Sequence, residues 1–160
     1  MKTKKKIEDH MSGFPRLATP EMSVDFALEM MKRDAIRHLP VVDEGNVVGT
    51  VSEADLRNAA PRGERTVANV MRLDPYCVLL GTPLAEVTSG MASRKLDCAI
   101  VLGDFGRVVG IFTATDALRA LSDVLLNRAT DRSNAMNTGK TPEKATEAEV
   151  PPHLVHMIEF

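Results

Sequence analysis

The sequence predicts an α+β fold in which two similar β-α-β-β-α units pack together as one compact module. Two observations predict it: a short pattern is written twice, and the elements around it recur in the same order. "GTVSEAD" occupies residues 49–55 and "GIFTATD" residues 110–116, 61 positions later. Each reads glycine, two strand-favouring residues, a hydroxyl, two spacers and an aspartate. Ahead of them, residues 7–31 lie over residues 67–91 at an offset of 60, "IEDHM" on "VANVM" and Phe14-Pro15 on Asp74-Pro75. Repetition on this scale fixes the architecture. Two copies are too few for an open solenoid, so the units are expected to bury each other's apolar faces.

The elements follow in order. A short extended piece comes first, at residues 16–19 and again at 76–80. A helix then begins at Ser23 or Pro83, since serine is a favoured N-cap and proline suits the first helical turn. Val24, Ala27, Leu28 and Met31 share one helical face, as do Leu84, Val87 and Met91, where Gly90 weakens the helix. The hairpins "LPVV–DEG–NVVGTV" and "AIVL–GDFG–RVVGIFT" are rich in β-branched residues around glycine-containing turns. A last helix starts at Ser52 or Thr113. Pro61 cuts the first of these short, while the second is expected to run to about Arg128. The polar stretch that follows reads as a flexible tail over residues 129–160. The expected units are therefore residues 7–60 and 67–128.

Composition bounds the function. A chain of 160 residues fits one domain of roughly 100–200. Hydrophobic residues at 44% and charged residues at 26% are ordinary for a soluble globular protein. A formal charge of −2 gives no electrostatic basis for nucleic acid as the main partner. No apolar h-region follows the basic Lys2, Lys4, Lys5 and Lys6, so secretion is not expected. The apolar runs fall far short of the ~20 residues that span a bilayer, so no membrane association and a cytoplasmic location are expected. Cys77 and Cys98 lack metal-ligand spacing and read as reduced, buried thiols, with a disulfide as the second choice.

In each heptapeptide the hydroxyl and the acid three residues later form a capping box. The hydroxyl accepts from the N–H at the helix start and the carboxylate reaches back. The same geometry suits a ligand. A strand ending near glycine allows close approach to the backbone. The helix N-terminus presents N–H groups and a positive dipole end to an anion. A carboxylate one turn in accepts two hydrogen bonds from a vicinal diol, so the set suits a ribose with phosphate nearby.

"IRHLPVVDEGNVVGTVSEADL" and the looser "LDCAIVLGDFGRVVGIFTATDAL", with Ile100 where the first copy has Pro40, resemble a tandem pair of CBS domains, the cystathionine β-synthase type regulatory module. The resemblance covers residues 7–121. It implies two repeats packed with pseudo-two-fold symmetry, an adenosine ligand (AMP, ADP, ATP or S-adenosylmethionine) in the cleft between them, no required cofactor and no catalysis. Carried over residue by residue, it implies one site joining Ile111, Thr113 and Asp116 to Leu17 and Ile36, with Arg37 and His38 near phosphate. A second site would join Ser52 and Asp55 to Leu96, with Asp97 and Cys98 in place of Arg37 and His38. A carboxylate there repels phosphate and offers no donor, so the first site is the expected phosphate binder.

The function expected is ligand sensing, signalled by conformational change to an effector protein of unknown identity. The alternative is a protein-interaction scaffold of the same fold with vestigial pockets, and a more distant third is a nucleic-acid regulator using the basic N-terminus. Leu118, Leu121, Val124 and Leu125 form an apolar stripe on the last helix, from which a homodimer is expected. His153 and His156, beside two prolines and without a third ligand, read as incidental. No Ser-His-Asp, paired-carboxylate or Walker-type constellation is present, so the sequence gives an enzyme reading no support.

Overall fold

The computed structural model of the chain describes residues 5–136. A first compact unit ends at Asp123, and a second begins at Val124. The first unit holds both repeats. The expected tail from residue 137 onward, with His153 and His156, lies outside the described residues.

In chain order the elements are β1 (Ser12–Gly13), α1 (Val24–Asp34), β2 (His38–Asp43), β3 (Asn46–Ser52) and α2 (Glu53–Ala59), then β4 (Cys77–Leu79), α3 (Leu84–Arg94), β5 (Cys98–Leu102), β6 (Val108–Thr113) and α4 (Ala114–Met136). Ser23 caps α1 as its residue type demands, its Oγ accepting from the Phe26 N–H at 3.2 Å. Pro83 stands at the matching N-cap of α3, where it offers no side-chain bond. α4 continues past the expected end near Arg128 to Met136. Among the described residues no helix is long and apolar enough to cross a membrane.

The sheets show the pseudo-symmetry. One runs in the order β1-β6-β5-β4, and the other pairs β2 with β3. Single bridges extend the second sheet, Ala18 to Val41 on one side and Arg72 to Thr50 on the other. The second sheet thus repeats the first: Arg72 stands where β1 stands, β3 matches β6, β2 matches β5, and Ala18 matches β4.

Each repeat lends its opening to the other. The 3-10 turn Ile7–Asp9 belongs by sequence to the first repeat, yet Ile7 is fully buried with Leu84, Val87, Met91 and Phe112 of the second. Val67, from the 3-10 turn Val67–Asn69, is buried with Ala27, Leu39 and Leu56 of the first. Backbone bonds fix both crossings in the same way. The Ile7 N–H donates to Thr82 O at 3.0 Å and the Leu84 N–H to Lys5 O at 2.9 Å. The Val67 N–H donates to Met22 O and the Val24 N–H to Arg65 O, both at 2.9 Å.

The crossing explains the glycines of the repeated heptapeptide. A Cβ on Gly49 would stand 2.7 Å from the Arg72 carbonyl oxygen and 3.1 Å from Met71 Sδ. At Gly110 it would collide with the Met11 side chain. The close approach expected of a ligand is made instead by the other repeat's opening segment. The residue type was right and its reason was different.

Because Ile7 sits in the second core, Ile7→Ala should cost about 2–5 kcal/mol despite its place at the edge of the fold. Equilibrium denaturation measures this. A loss under about 1 kcal/mol would place the opening turn outside the cooperative core.

Candidate functional site

The crossed openings bound two cavities. The larger, about 960 Å³, is lined by Ser12, Gly13, Phe14 and Arg16 of the opening segment and by Ile36, Arg37 and His38 before and at the start of β2. Ile111 and Thr113 of β6, Asp116 and Arg119 of α4, and Arg57 of α2 complete it, with Ser52, Glu53 and Asp97 on its wall. The smaller, about 130 Å³, is lined by Ser52, Asp55, Arg72, Leu73, Asp74 and Tyr76 together with Leu96, Asp97 and Cys98. His38, Ser52 and Asp97 line both.

Both hydroxyl–aspartate pairs form capping boxes. At the larger cavity the Thr113 N–H and Oγ1–H donate to Asp116 Oδ2 at 2.9 and 2.7 Å, and the Asp116 N–H returns a bond to Thr113 Oγ1 at 3.4 Å. At the smaller one the Ser52 N–H and Oγ–H donate to Asp55 Oδ2 at 3.2 and 2.6 Å, and the Asp55 N–H donates to Ser52 Oγ at 3.1 Å. The helix starts are fixed further by paired backbone bonds: Glu53 N–H to Arg37 O and Ala114 N–H to Asp97 O, each 2.9 Å.

The second oxygen of each carboxylate meets an arginine. Arg119 Nη1 lies 3.3 Å from Asp116 Oδ1, one turn along the same helix. Arg72 Nη2 lies 3.3 Å from Asp55 Oδ1, reaching across from the crossed segment. Asp116 is buried, only 7% exposed. Burial pulls the Asp55 carboxyl up, but the Ser52 hydroxyl and the Arg72 guanidinium together outweigh it and hold the group below the usual carboxylate range.

The larger cavity therefore carries the expected Ile36, Arg37, His38, Ile111, Thr113 and Asp116. Leu17 is not among the residues that line it. Its neighbour Ala18 is buried and bridged to β2, its N–H donating to Pro40 O at 2.9 Å and its carbonyl accepting from Val42 at 2.9 Å. Strand alternation then turns Leu17 outward, 41% exposed. Ser52, Asp55 and Leu96 meet at the smaller cavity, as expected of the second site.

Sequence reasoning missed the arginines. Arg16, Arg57 and Arg119 join Arg37 on the larger cavity. Arg16 Nε bonds Asp34 Oδ2 at 2.8 Å, and Arg57 Nη2 bonds Glu53 Oε1 at 2.6 Å. Arg57 and Arg119 were findable, since each lies on the helix behind a capping box, within a turn of its aspartate. Arg16 and Arg72 were not, because only the crossing brings them to the cavities. With Arg72 present, the smaller cavity does hold a cation and a donor beside Asp97.

His38 is half-buried. Burial pushes its imidazole below the usual 6.5, against the pull of Asp97 and Asp55, and Arg37 and Arg72 add to the lowering. It is therefore neutral at pH 7, and the charge expected of it near pH 6.5 is postponed to lower pH. Burial, with Asp97 beside it, pushes the Cys98 thiol up to about 11, so it is no nucleophile at neutral pH. Both cysteines are free and half-buried rather than fully enclosed.

Comparison with known proteins gives two matches to one family model, the CBS domain, over residues 7–62 and 67–123. The L-aspartate semialdehyde sulfurtransferase of Methanocaldococcus jannaschii is 29% identical over 114 residues, covering 71% of this chain and 22% of that protein. The magnesium transporter MgtE of Thermus thermophilus is 33% identical over 149 residues, covering 85% of this chain and 31% of the transporter. The chain thus spans about a fifth to a third of the length of these two relatives. Among solved structures, a CBS domain pair in complex with 5′-methylthioadenosine and S-adenosyl-L-methionine matches with a TM-score of 0.69 at 28% identity, over 73% of this chain and 99% of the other. CBSX2 in complex with AMP matches with a TM-score of 0.66 at 25% identity, over 74% and 97%. The cytosolic domain of the Mg2+ channel MgtE in complex with ATP matches with a TM-score of 0.64 at 31% identity, over 74% and 49%.

The folded chain binds the His38 proton less tightly than the unfolded chain does. Its contribution is therefore neutral well above pH 6.5 and turns destabilising as pH falls through 6.5 toward the lowered folded value. Thermal melts from about pH 7.5 to 5 should show a drop in Tm that His38→Gln makes shallower. Identical slopes for the two proteins would remove His38 from the acid response.

Proposed function

This chain belongs to the CBS-domain family as a tandem pair, and on that premise we propose that it is a ligand-sensing regulatory module whose larger cavity takes an adenosine-containing ligand. The observation that carries the reading is the meeting of unlike groups in one cavity of about 960 Å³. A buried carboxylate with a hydroxyl beside it, two isoleucines and four arginines match the three parts of a nucleotide. Thr113 and Asp116 take the ribose diol, with Asp116 Oδ1 exchanging Arg119 for a ribose hydroxyl. Ile36 and Ile111 supply apolar contact for the base. Arg37, Arg16 and Arg119 reach the phosphates with charge-assisted bonds, and neutral His38 adds a donor. Among AMP, ADP, ATP and S-adenosylmethionine, this many guanidiniums favour the phosphorylated ligands over a sulfonium. The solved relatives in complex with AMP, ATP and S-adenosylmethionine support the same class. No cofactor is required and no catalysis is assigned to the module.

The module signals to an effector protein and works as a homodimer. Leu118 and Leu121 of α4 are 66% and 52% exposed. Exposed leucines gathered on one helix are characteristic of an interface.

Mass spectrometry of the denatured purified protein, followed by calorimetry with AMP, ATP and S-adenosylmethionine, tests ligand binding. Asp116→Ala should weaken nucleotide binding by about 1.5–3 kcal/mol, roughly ten- to a hundred-fold. Arg37→Ala should weaken ATP more than adenosine, with the gap shrinking at high salt. Absence of retained ligand and of binding heat with every compound would leave the scaffold alternative standing. Light scattering at micromolar concentration is expected to give the mass of two chains, and the mass of one would refute the dimer.

A further inference from the structure

We propose that Arg72 is the residue that closes the second pocket, so that each chain takes one adenosine-type ligand rather than two. This rests on the nucleotide reading of the larger cavity. The two cavities are built from equivalent parts, yet one is about 960 Å³ and the other about 130 Å³. The sheet registers say which parts correspond. Ser12 pairs with Ile111 on β6, and Arg72 pairs with Thr50, the matching position of β3. At that point one cavity has a hydroxymethyl group and the other a full guanidinium arm. The next residue differs in the same direction, Gly13 at the open cavity against Leu73 at the closed one.

Arg72 is held at both ends. Its backbone is pinned to β3 by Thr50 N–H to Arg72 O at 3.0 Å and Arg72 N–H to Thr50 O at 2.8 Å. Its guanidinium ends 3.3 Å from Asp55 Oδ1, while Ser52 holds Oδ2. Both oxygens that a ribose diol needs are thus engaged by the protein itself. At the open site Asp116 is engaged alike, Oδ2 by Thr113 and Oδ1 by Arg119, but Arg119 approaches from the same helix and not from the crossed segment. Its counterpart on α2 is the shorter Asn58. The Arg72 side chain is 66% exposed, so the closure is maintained by the pinned backbone and the ion pair, not by burial.

This assignment shifts the cause of the inequality from Asp97 and Cys98 to Arg72. A repelling carboxylate at Asp97 would discriminate against phosphate only. An arm across the diol site discriminates against adenosine itself, which is uncharged, and adenosine is therefore the probe.

Calorimetry with adenosine is run on the full chain, on Arg72→Ser with Leu73→Gly (the residues of the open site), on Asp116→Ala, and on all three changes together. Circular dichroism checks the fold of each. The expected stoichiometries are one adenosine for the full chain and two for the Arg72→Ser, Leu73→Gly variant. Asp116→Ala should lose most of its binding, and the triple variant should regain one site at the opened pocket. Two adenosines bound by the unaltered chain, or one bound by the folded Arg72→Ser, Leu73→Gly variant, would overturn the proposal. A second titration with ATP separates the opposite role: about tenfold weaker ATP binding in Arg72→Ser would make Arg72 a ligand-binding arginine and likewise overturn it. If the unaltered chain binds no adenosine at all, the nucleotide reading fails first and this proposal with it.

Discussion

The exchange of opening turns between the repeats is the contact on which the rest of the structure depends. Ile7 fills the second core and Val67 the first, so neither core is complete without residues from the other repeat. Burial of an isoleucine or valine side chain contributes about 1.5–3 kcal/mol, and here that contribution also fixes the path of the backbone. Once the turns are anchored, the next residues of each opening must pass along the edge of the other sheet. Ser12 and Gly13 lie on β6, and Arg72 lies on β3. Both cavities are the space left between these crossed segments and the helix starts.

The same crossing sets different residues against the two cavities. Ser12 and Gly13 line the larger one, and Arg72 and Leu73 the smaller. The capping boxes are shared by both sites and do not distinguish them. Each carboxylate satisfies orphan N–H and O–H donors at a helix start, and this structural duty is needed whether or not a ligand arrives.

His38, Ser52 and Asp97 line both cavities. A charge gained on His38, or brought by a ligand beside Asp97, acts on both spaces at short range, where Coulomb terms exceed those in water.

Much of this protein was legible in the sequence. The repeat set the order of elements, the helix faces of Val24, Ala27 and Met31 and of Leu84, Val87 and Met91 were correct, and the serine, threonine and aspartate of each heptapeptide meet as capping geometry requires. These features depend on neighbours within a turn or a hairpin, where spacing along the chain determines spacing in space. Several readings failed where the partner lies in the other repeat. Gly49 and Gly110 are needed because Arg72, Met71 and Met11 pass over them. Leu17 failed within its own repeat, because Ala18 beside it is bridged to β2. Arg16 and Arg72 reach the cavities only through the crossing. By itself the sequence determined the repeat, its elements and the hydroxyl–aspartate pairs. The tertiary structure alone decided which repeat completes which core and which cavity stays open, because local spacing carries no information about where a crossed segment will dock.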